Sequence, residues 1–259
     1  MNYATIVVND SGPARTITLN RPDRRNAMTP EMQMELIAAL EETAASDCRV
    51  LVLAGSGAAF CSGLDLSALQ AMQGATAAEF RSDAERIARL FLALYELPIP
   101  TIARVHGPAI AGGAGLAMLC DFTLATPEAK FGFTEVRVGF VPALVSVFLS
   151  LQIGDKRSRD LLLTGRIFDA NEALQMGLVN EIVPQEGLTR HVEALAASLL
   201  ANSPESLSAT KRLITARHKT LLDSAIADAI EVSVQARETG DFREGSAAFL
   251  EKRKPHWKE

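Results

Sequence analysis

A glycine-rich junction between a strand and a helix constrains this chain more than any other part of its sequence. The β-favouring run 101–105 stops at Gly107, and a loop of small residues then leads directly into the apolar segment 116–120. A helix that begins in this way presents N–H groups without intrahelical partners at the positive end of its dipole. Because Gly112 and Gly113 carry no Cβ, a ligand can approach this backbone closely. The junction therefore suits an anion or a developing oxyanion.

The junction matches neither of two familiar phosphate-binding motifs. A P-loop needs Gly-Lys-Ser/Thr after the loop, where this chain has Gly113-Ala114-Gly115. The dinucleotide fingerprint G-x-G-x-x-G needs a third glycine where Met118 stands. Two interpretations of the loop stay open at this point, an oxyanion site or a set of small residues that serves packing alone.

Length and composition narrow the class of protein. The 259 residues predict one large domain or a domain with an appendage. The net charge of −5 gives no basic surface for nucleic acid. We expect no membrane-spanning segment and no secretory signal, because no apolar run is long enough and the N-terminus lacks a basic region. The three cysteines and four histidines lack disulfide or metal-ligand spacing, which favours a cytoplasmic protein without a metal.

Strands and helices alternate along most of the chain. The pattern predicts an α/β architecture with parallel strand pairing. Three predicted helices begin at residues that commonly cap helix N-termini, namely Thr29, Thr76 and Asp169. We expect a last strand at 178–183, followed from Gly187 onward by a charged helical tail that packs against another surface, such as a partner subunit.

Candidate catalytic groups lie at two junctions and one short strand. The small-residue segment 61–65 follows a buried strand, so it and the central loop could each offer one N–H to the same oxygen. In other enzymes one such donor is worth about 2.7–4 kcal/mol. Asp65 is interpreted first as a turn or cap residue. Glu135 is the best candidate acid or base if it is desolvated, and the alternative is a surface glutamate. Ser62 lacks the Gly-x-Ser-x-Gly elbow of serine hydrolases.

Several short motifs occur in a fixed order from one end of the chain to the other. They are LNRP at 19–22, RNAM at 25–28, AFCSGLDL at 59–66, VHGPAIAGG at 105–113, FGFTEV at 131–136, LTGR at 163–166, GLVN at 177–180 and FLEKR at 249–253. In these motifs the sequence resembles the crotonase family, the enoyl-CoA hydratase/isomerase superfamily.

The resemblance implies an architecture and a class of substrate. The fold expected from it is a core of repeated ββα units, residues 1–200, followed by a helical trimerisation region, residues 201–259. Members are commonly homo-trimers or dimers of trimers. The implied substrate is an acyl-CoA thioester, so coenzyme A is part of the substrate and no separate cofactor is expected.

The resemblance also implies roles for individual residues. The backbone N–H groups of Leu64 and Gly112 would form the oxyanion hole, and Glu135 would act as acid or base at the carbon next to the thioester. Lys252 would contact CoA phosphates, within one subunit or across a subunit boundary. The residues that fall where the family lines its CoA and acyl pocket are Arg25, Ala27, Ser62, Asp65, Leu66, Ile110 and Gly113.

One departure from the family pattern bears on the reaction. Well-studied hydratases of the family carry a second glutamate where this chain has Gly115, and Ala143 stands where the dienoyl isomerase branch has an aspartate. The leading expectation is an enoyl-CoA hydratase, which adds water reversibly to a 2-enoyl-CoA to give a 3-hydroxyacyl-CoA. A Δ3–Δ2-enoyl-CoA isomerase is the alternative, because it needs only one acid/base group. A catalytically weak acyl-CoA-binding subunit is a third hypothesis.

Overall fold

The computed structural model describes residues 3–65, 67–68 and 74–257. Leu66, one of the predicted pocket residues, lies outside the described residues. The strands are β1 (Ile6–Ser11), β2 (Ala14–Leu19), β3 (Val50–Gly55), β4 (Thr101–Val105), β5 (Ala109–Ile110), β6 (Phe122–Ala125), β7 (Lys130–Gly132), β8 (Ile167–Asp169) and β9 (Glu181–Ile182).

The helices occupy the connections between strands and the whole C-terminal part. They are α1 (Pro30–Ala44), α2 (Ala77–Tyr95), α3 (Gly112–Leu119), α4 (Ala143–Ile153), α5 (Asp155–Thr164), α6 (Ala170–Met176), α7 (Gln185–Leu200), α8 (Pro204–Ala216), α9 (Lys219–Glu238) and α10 (Gly240–Leu250). Two short 3-10 helices, Pro22–Arg24 and Glu135–Val138, lie beside the central loops.

Two sheets organise the chain. The larger has the strand order β1-β2-β3-β4-β6-β9, with β1 and β2 antiparallel and the other neighbours parallel. The smaller has the order β5-β7-β8. Every residue of β3 is buried, as expected for a parallel strand that is covered on both faces. This arrangement confirms the predicted α/β architecture.

Local sequence signals set the starts of several helices. The Thr29 side chain accepts a hydrogen bond from the Met32 N–H, and Thr76 forms a capping box with Glu79. Asp169 caps α6 in the same way. These three predicted caps are confirmed, because each satisfies N–H groups that the helix itself leaves free.

The last strand is shorter than the sequence predicts. Of the predicted segment 178–183, β9 contains only Glu181–Ile182. The reason is the turn that follows α6, where the N–H groups of Leu178 and Val179 both donate to the Ala173 carbonyl and so are not available for a sheet.

The C-terminal helices pack on the rest of the chain. Leu222, Ile226 and Ala229 of α9 join the main hydrophobic core. Helix α10 lies against the 3-10 helix 135–138, and a Cβ on Gly245 would stand 2.3 Å from the Val138 carbonyl carbon, so glycine permits this contact. The division into a core up to residue 200 and a helical region after it stays a prediction. Across the described ranges, no helix is both long enough and apolar enough to span a membrane.

Candidate active site

The two small-residue junctions predicted from the sequence lie side by side. Cys61 and Ala109 form a parallel bridge, and the Ile110 N–H donates to the Cys61 carbonyl at 2.9 Å. A Cβ on Gly113 would lie 2.3 Å from that same carbonyl oxygen. Glycine at 113 therefore allows the start of α3 to pack directly on the other loop, which any larger residue would prevent.

Two backbone N–H groups are presented where the loops meet. Met28 donates to the Gly63 carbonyl at 2.8 Å and accepts from the Asp65 N–H at 2.9 Å, so this backbone pairing holds the residues on either side of Leu64. Gly112 is the first residue of α3, where an N–H has no intrahelical partner. Among the residues that the structure describes, neither the Leu64 N–H nor the Gly112 N–H has an acceptor. A Cβ on Gly63 would lie 3.5 Å from the Gly112 nitrogen, so these backbone segments are close neighbours.

Ala111 holds the second N–H in place through an unusual backbone conformation. Its φ is 53° and its ψ is −125°, and its N–H donates to the Gly132 carbonyl at 2.7 Å. A non-glycine residue in such a region costs on the order of 1–3 kcal/mol and persists where the surroundings enforce it. Here the turn directs the start of α3 towards the cavity that Gly112 lines.

Leu64 and Gly112 both line a cavity of about 490 Å³. Most of its wall is apolar, with Ile87 and Phe91 from α2 and Val145 from α4. Cavities of this size and composition, with a few polar groups, are typical of small-molecule sites. Within the described part of the chain, no cluster of His, Cys, Asp and Glu could hold a metal ion.

Glu135 is the only acidic side chain among the described residues that line the cavity. It begins the 3-10 helix 135–138 and is 9% exposed. Its Oε2 atom is buried and has no hydrogen-bond partner in the described part of the chain. Burial raises the pKa of this carboxyl from 4.5 to about 7, although its own backbone N–H lowers it in part. Both protonation states are therefore accessible near neutral pH.

Gly115 is covered by apolar side chains. A Cβ placed on it would lie 2.8 Å from Phe91 Cζ and 3.3 Å from Val145 Cγ2. A side chain at position 115 would thus meet the ends of two hydrophobic side chains at its first carbon. The cavity has an apolar wall at this point.

The structure brings some of the predicted pocket residues together and leaves others outside. Those that line the cavity are Arg25, Ser62, Leu64, Ile110, Gly112 and Glu135. Asp65 instead forms an ion pair with Arg21 at 3.1 Å and accepts from the Ser67 N–H, as the turn interpretation expects. Gly113 packs on Cys61, and Ala27 and Lys252 are not part of the cavity wall. Their roles in binding stay predictions.

The cavity wall includes residues that the sequence did not indicate, three of them in the C-terminal part of the chain. Arg237 of α9, Phe249 of α10 and Arg253 all line the cavity. Arg253 is held by Glu244, with Nη1 at 2.5 Å from Oε1. The basic character of the FLEKR motif was the one available signal, and it pointed to the neighbouring Lys252. Arg237 gave no signal, because a single arginine in a mixed helix is usually solvated.

The sequence and the fold of this chain are similar to those of known proteins. A family model described as enoyl-CoA hydratase/isomerase matches residues 12–259. A Thermus thermophilus protein named "Putative enoyl-CoA hydratase" is 43% identical over 249 residues, which are 96% of this chain and 98% of that protein. A crotonyl-CoA hydratase of Syntrophomonas wolfei is 32% identical and covers 99% of each chain. The crystal structure of an enoyl-CoA hydratase from Mycobacterium avium subsp. paratuberculosis superposes with a TM-score of 0.89 at 28% identity, over 100% of both chains.

Burial of Glu135 predicts a pH-dependent effect on stability. Because the pKa is raised to about 7 in the folded chain, the stability gained from holding this proton is complete below pH 4.5 and is lost as pH rises through about 7. Glu135→Gln stays neutral throughout. We expect the variant to exceed the wild type in free energy of unfolding by on the order of 1–3 kcal/mol at about pH 8.5, and to match it near pH 4.

Urea unfolding of both proteins at the two pH values measures this difference. Glu128→Gln is the matched control, because Glu128 is exposed and undergoes the same chemical change. A Glu135→Gln effect of the same size at both pH values would contradict the raised pKa.

Proposed function

This chain belongs to the enoyl-CoA hydratase/isomerase family, and on that basis we propose that it is an enoyl-CoA hydratase, which adds water reversibly to a 2-enoyl-CoA. The observation that carries the proposal is the combination of Glu135, with its pKa of about 7, and two N–H groups without acceptors in the described chain, all lining one cavity. In this proposal coenzyme A enters as part of the substrate, and no separate cofactor is required.

The thioester carbonyl oxygen would accept hydrogen bonds from the Leu64 and Gly112 N–H groups. These donors are fixed by the loop contact, so they stabilise an enolate oxygen without reorganising during the reaction. Arg25 and Arg253 line the same cavity and would serve the CoA phosphates, with the nearby Lys252 as a further cation.

One carboxylate can carry both proton transfers of hydration. The water oxygen bonds to C3, and its proton passes to ionised Glu135. The electrons of the C2–C3 double bond move towards the thioester, whose oxygen takes the negative charge and is held by the two N–H groups. Glu135 then returns the proton to C2 and restores the carbonyl. A pKa near neutrality suits a group that must both accept and donate a proton.

A second candidate function is Δ3–Δ2-enoyl-CoA isomerisation. The apolar wall at Gly115 favours it, because this position has no carboxylate to help activate water and Phe91 and Val145 crowd the place where a side chain would begin. Glu135 would remove a proton from C2 of a 3-enoyl thioester and return it to C4, with the dienolate oxygen held in the same way. This reaction needs no water in the cavity.

Paired assays on trans-2-butenoyl-CoA and trans-3-hexenoyl-CoA test both candidates. We expect the wild type to convert the first to a 3-hydroxyacyl-CoA, and Glu135→Gln to be slower by about 10²–10⁴-fold, because the general acid/base is lost. Glu128→Gln is again the matched control. Gain of 2-enoyl absorbance from the 3-enoyl substrate, without hydration, would assign the isomerase instead.

Two outcomes would contradict the enzymatic proposal. A Glu135→Gln rate within a few-fold of the wild type on each substrate would remove Glu135 from the chemistry. Tight binding of CoA esters without turnover or exchange of the C2 proton with solvent would favour the acyl-CoA-binding subunit.

We also propose that the chain assembles as a homo-trimer or a dimer of trimers through its C-terminal helices. Leu213 and Ile214 of α8 and Leu221 of α9 are large apolar residues that stay exposed in the single chain. Large apolar residues that are exposed within one short stretch of the chain favour a surface that binds a protein partner.

The free thiols of Cys48, Cys61 and Cys120 support a cytoplasmic location, which fractionation into another compartment would contradict.

Charge at this apolar surface should disrupt assembly. The double variant Leu213→Glu, Ile214→Glu is expected to give a smaller native mass in light scattering, because burying two carboxylates in an interface is costly. Met34→Glu is the control, since Met34 on α1 is also exposed, at 52%, but lies outside the C-terminal region. An unchanged mass for the double variant would rule this surface out as the assembly element.

A further inference from the structure

Arg237 is a buried cation in the wall of the same cavity. It lies near the end of α9 and is 2% exposed. Ser233, one turn earlier on α9, lines the cavity with it, and Ile87 and Phe91 of the packed helix α2 contribute to the same wall. Neither of the two candidate reactions uses Arg237, so its presence there needs a separate explanation.

The guanidinium is only partly satisfied by the protein. Its Nη1 atom lies 2.8 Å from Asp83 Oδ2 and donates to the Phe80 carbonyl at 3.3 Å. The Nε and Nη2 atoms are buried and have no hydrogen-bond partner among the described residues. The Phe140 ring, whose centroid is 5.2 Å from the Arg237 Cζ, offers a contact to the face of the guanidinium but no acceptor at its edge. Buried donors without partners are rare and costly in native proteins.

The local charge is also unbalanced. Asp83 is shared, because Arg86 pairs with the same carboxylate from the next turn of α2. Two guanidinium groups therefore face one carboxylate, which leaves one positive charge uncompensated within this cluster. Burial lowers the pKa of Arg237, and Asp83 partly offsets this, but an arginine stays charged at any physiological pH.

We propose that Arg237 binds a carboxylate carried by the acyl chain of the substrate, so that the preferred thioester has an acidic group on its acyl part rather than a plain hydrocarbon chain. The inference rests on the proposed function in that it takes this cavity to hold the acyl chain. Nε and Nη2 form one edge of the guanidinium, and an edge of this kind binds both oxygens of a carboxylate in parallel hydrogen bonds. Such a ligand would satisfy both free donors and balance the extra charge.

A plain hydrocarbon chain would leave the two donors without acceptors and the positive charge uncompensated. It would fill the apolar wall beside Phe91 equally well, but Nε and Nη2 would stay without acceptors. Sites built to hydrogen-bond a substrate group reject analogues that lack it for this reason. The cavity should therefore discriminate between acyl chains of equal length by their terminal group.

Binding of saturated acyl-CoA thioesters tests the proposal independently of turnover. Pairs of matched length, one ending in a carboxylate and the other in a methyl group, are titrated calorimetrically over a series of lengths. We expect the carboxylate member to bind about tenfold to a hundredfold more tightly at the length that reaches Arg237. Arg237→Met should abolish this ratio, and Arg237→Lys should reduce it, because lysine keeps the charge but loses the paired donors.

Arg81→Met is the matched control. Arg81 lies on the same helix α2 but pairs with Glu231 and is not part of the cavity wall, so the ratio should persist. Equal affinity for both members at every length in the wild type would overturn the proposal, as would an unchanged ratio in a folded Arg237→Met or Arg237→Lys. Absence of turnover on the corresponding 2- and 3-enoyl thioesters would count against the proposed function alone.

Discussion

Contact between two loops is the interaction on which the rest of the site depends. The segment 61–65 and the start of α3 are joined by the bridge between Cys61 and Ala109 and by the close approach of Gly113 to the Cys61 carbonyl. The two loops lie side by side because one follows β3 and the other follows β4, and these strands are parallel neighbours in the same sheet. Without this contact, the Leu64 and Gly112 N–H groups would not border one cavity.

The environment of Glu135 depends on the C-terminal part of the chain. Gly139 and Gly245 are the positions where α10 meets the 3-10 helix that carries Glu135, and a Cβ on Gly139 would lie 2.2 Å from the Asp241 carbonyl oxygen. The tail thus packs directly on the short helix that carries Glu135, and burial of the Glu135 carboxyl is the main cause of its raised pKa. The helical tail therefore contributes to the chemistry of the site as well as to the proposed assembly.

Features encoded by neighbouring residues could be predicted, and features that depend on distant packing could not. The caps at Thr29, Thr76 and Asp169 follow from a side chain and an N–H three residues apart, so sequence alone predicts them. The predicted length of β9 was wrong, because the hydrogen bonds of the preceding turn compete with those of the sheet.

The site shows the same division. Glu135, Leu64 and Gly112 were predicted because they lie in recognisable motifs. From the sequence, Gly115 indicates only that a carboxylate is missing, whereas the structure shows that Phe91, 24 positions earlier and on another helix, crowds the place where a side chain would begin. Arg237 is separated from Asp83 by most of the chain, and no local pattern could have indicated their pairing.

The pH dependence of kcat/KM tests most directly whether one buried carboxylate serves as the acid/base. On trans-2-butenoyl-CoA, kcat/KM should fall as pH falls through about 7, because protonation of Glu135 removes the base that accepts the proton of water. The residual activity of Glu135→Gln should lack this transition. A midpoint near the ordinary glutamate value of about 4.3, or the same transition in Glu135→Gln, would contradict the account.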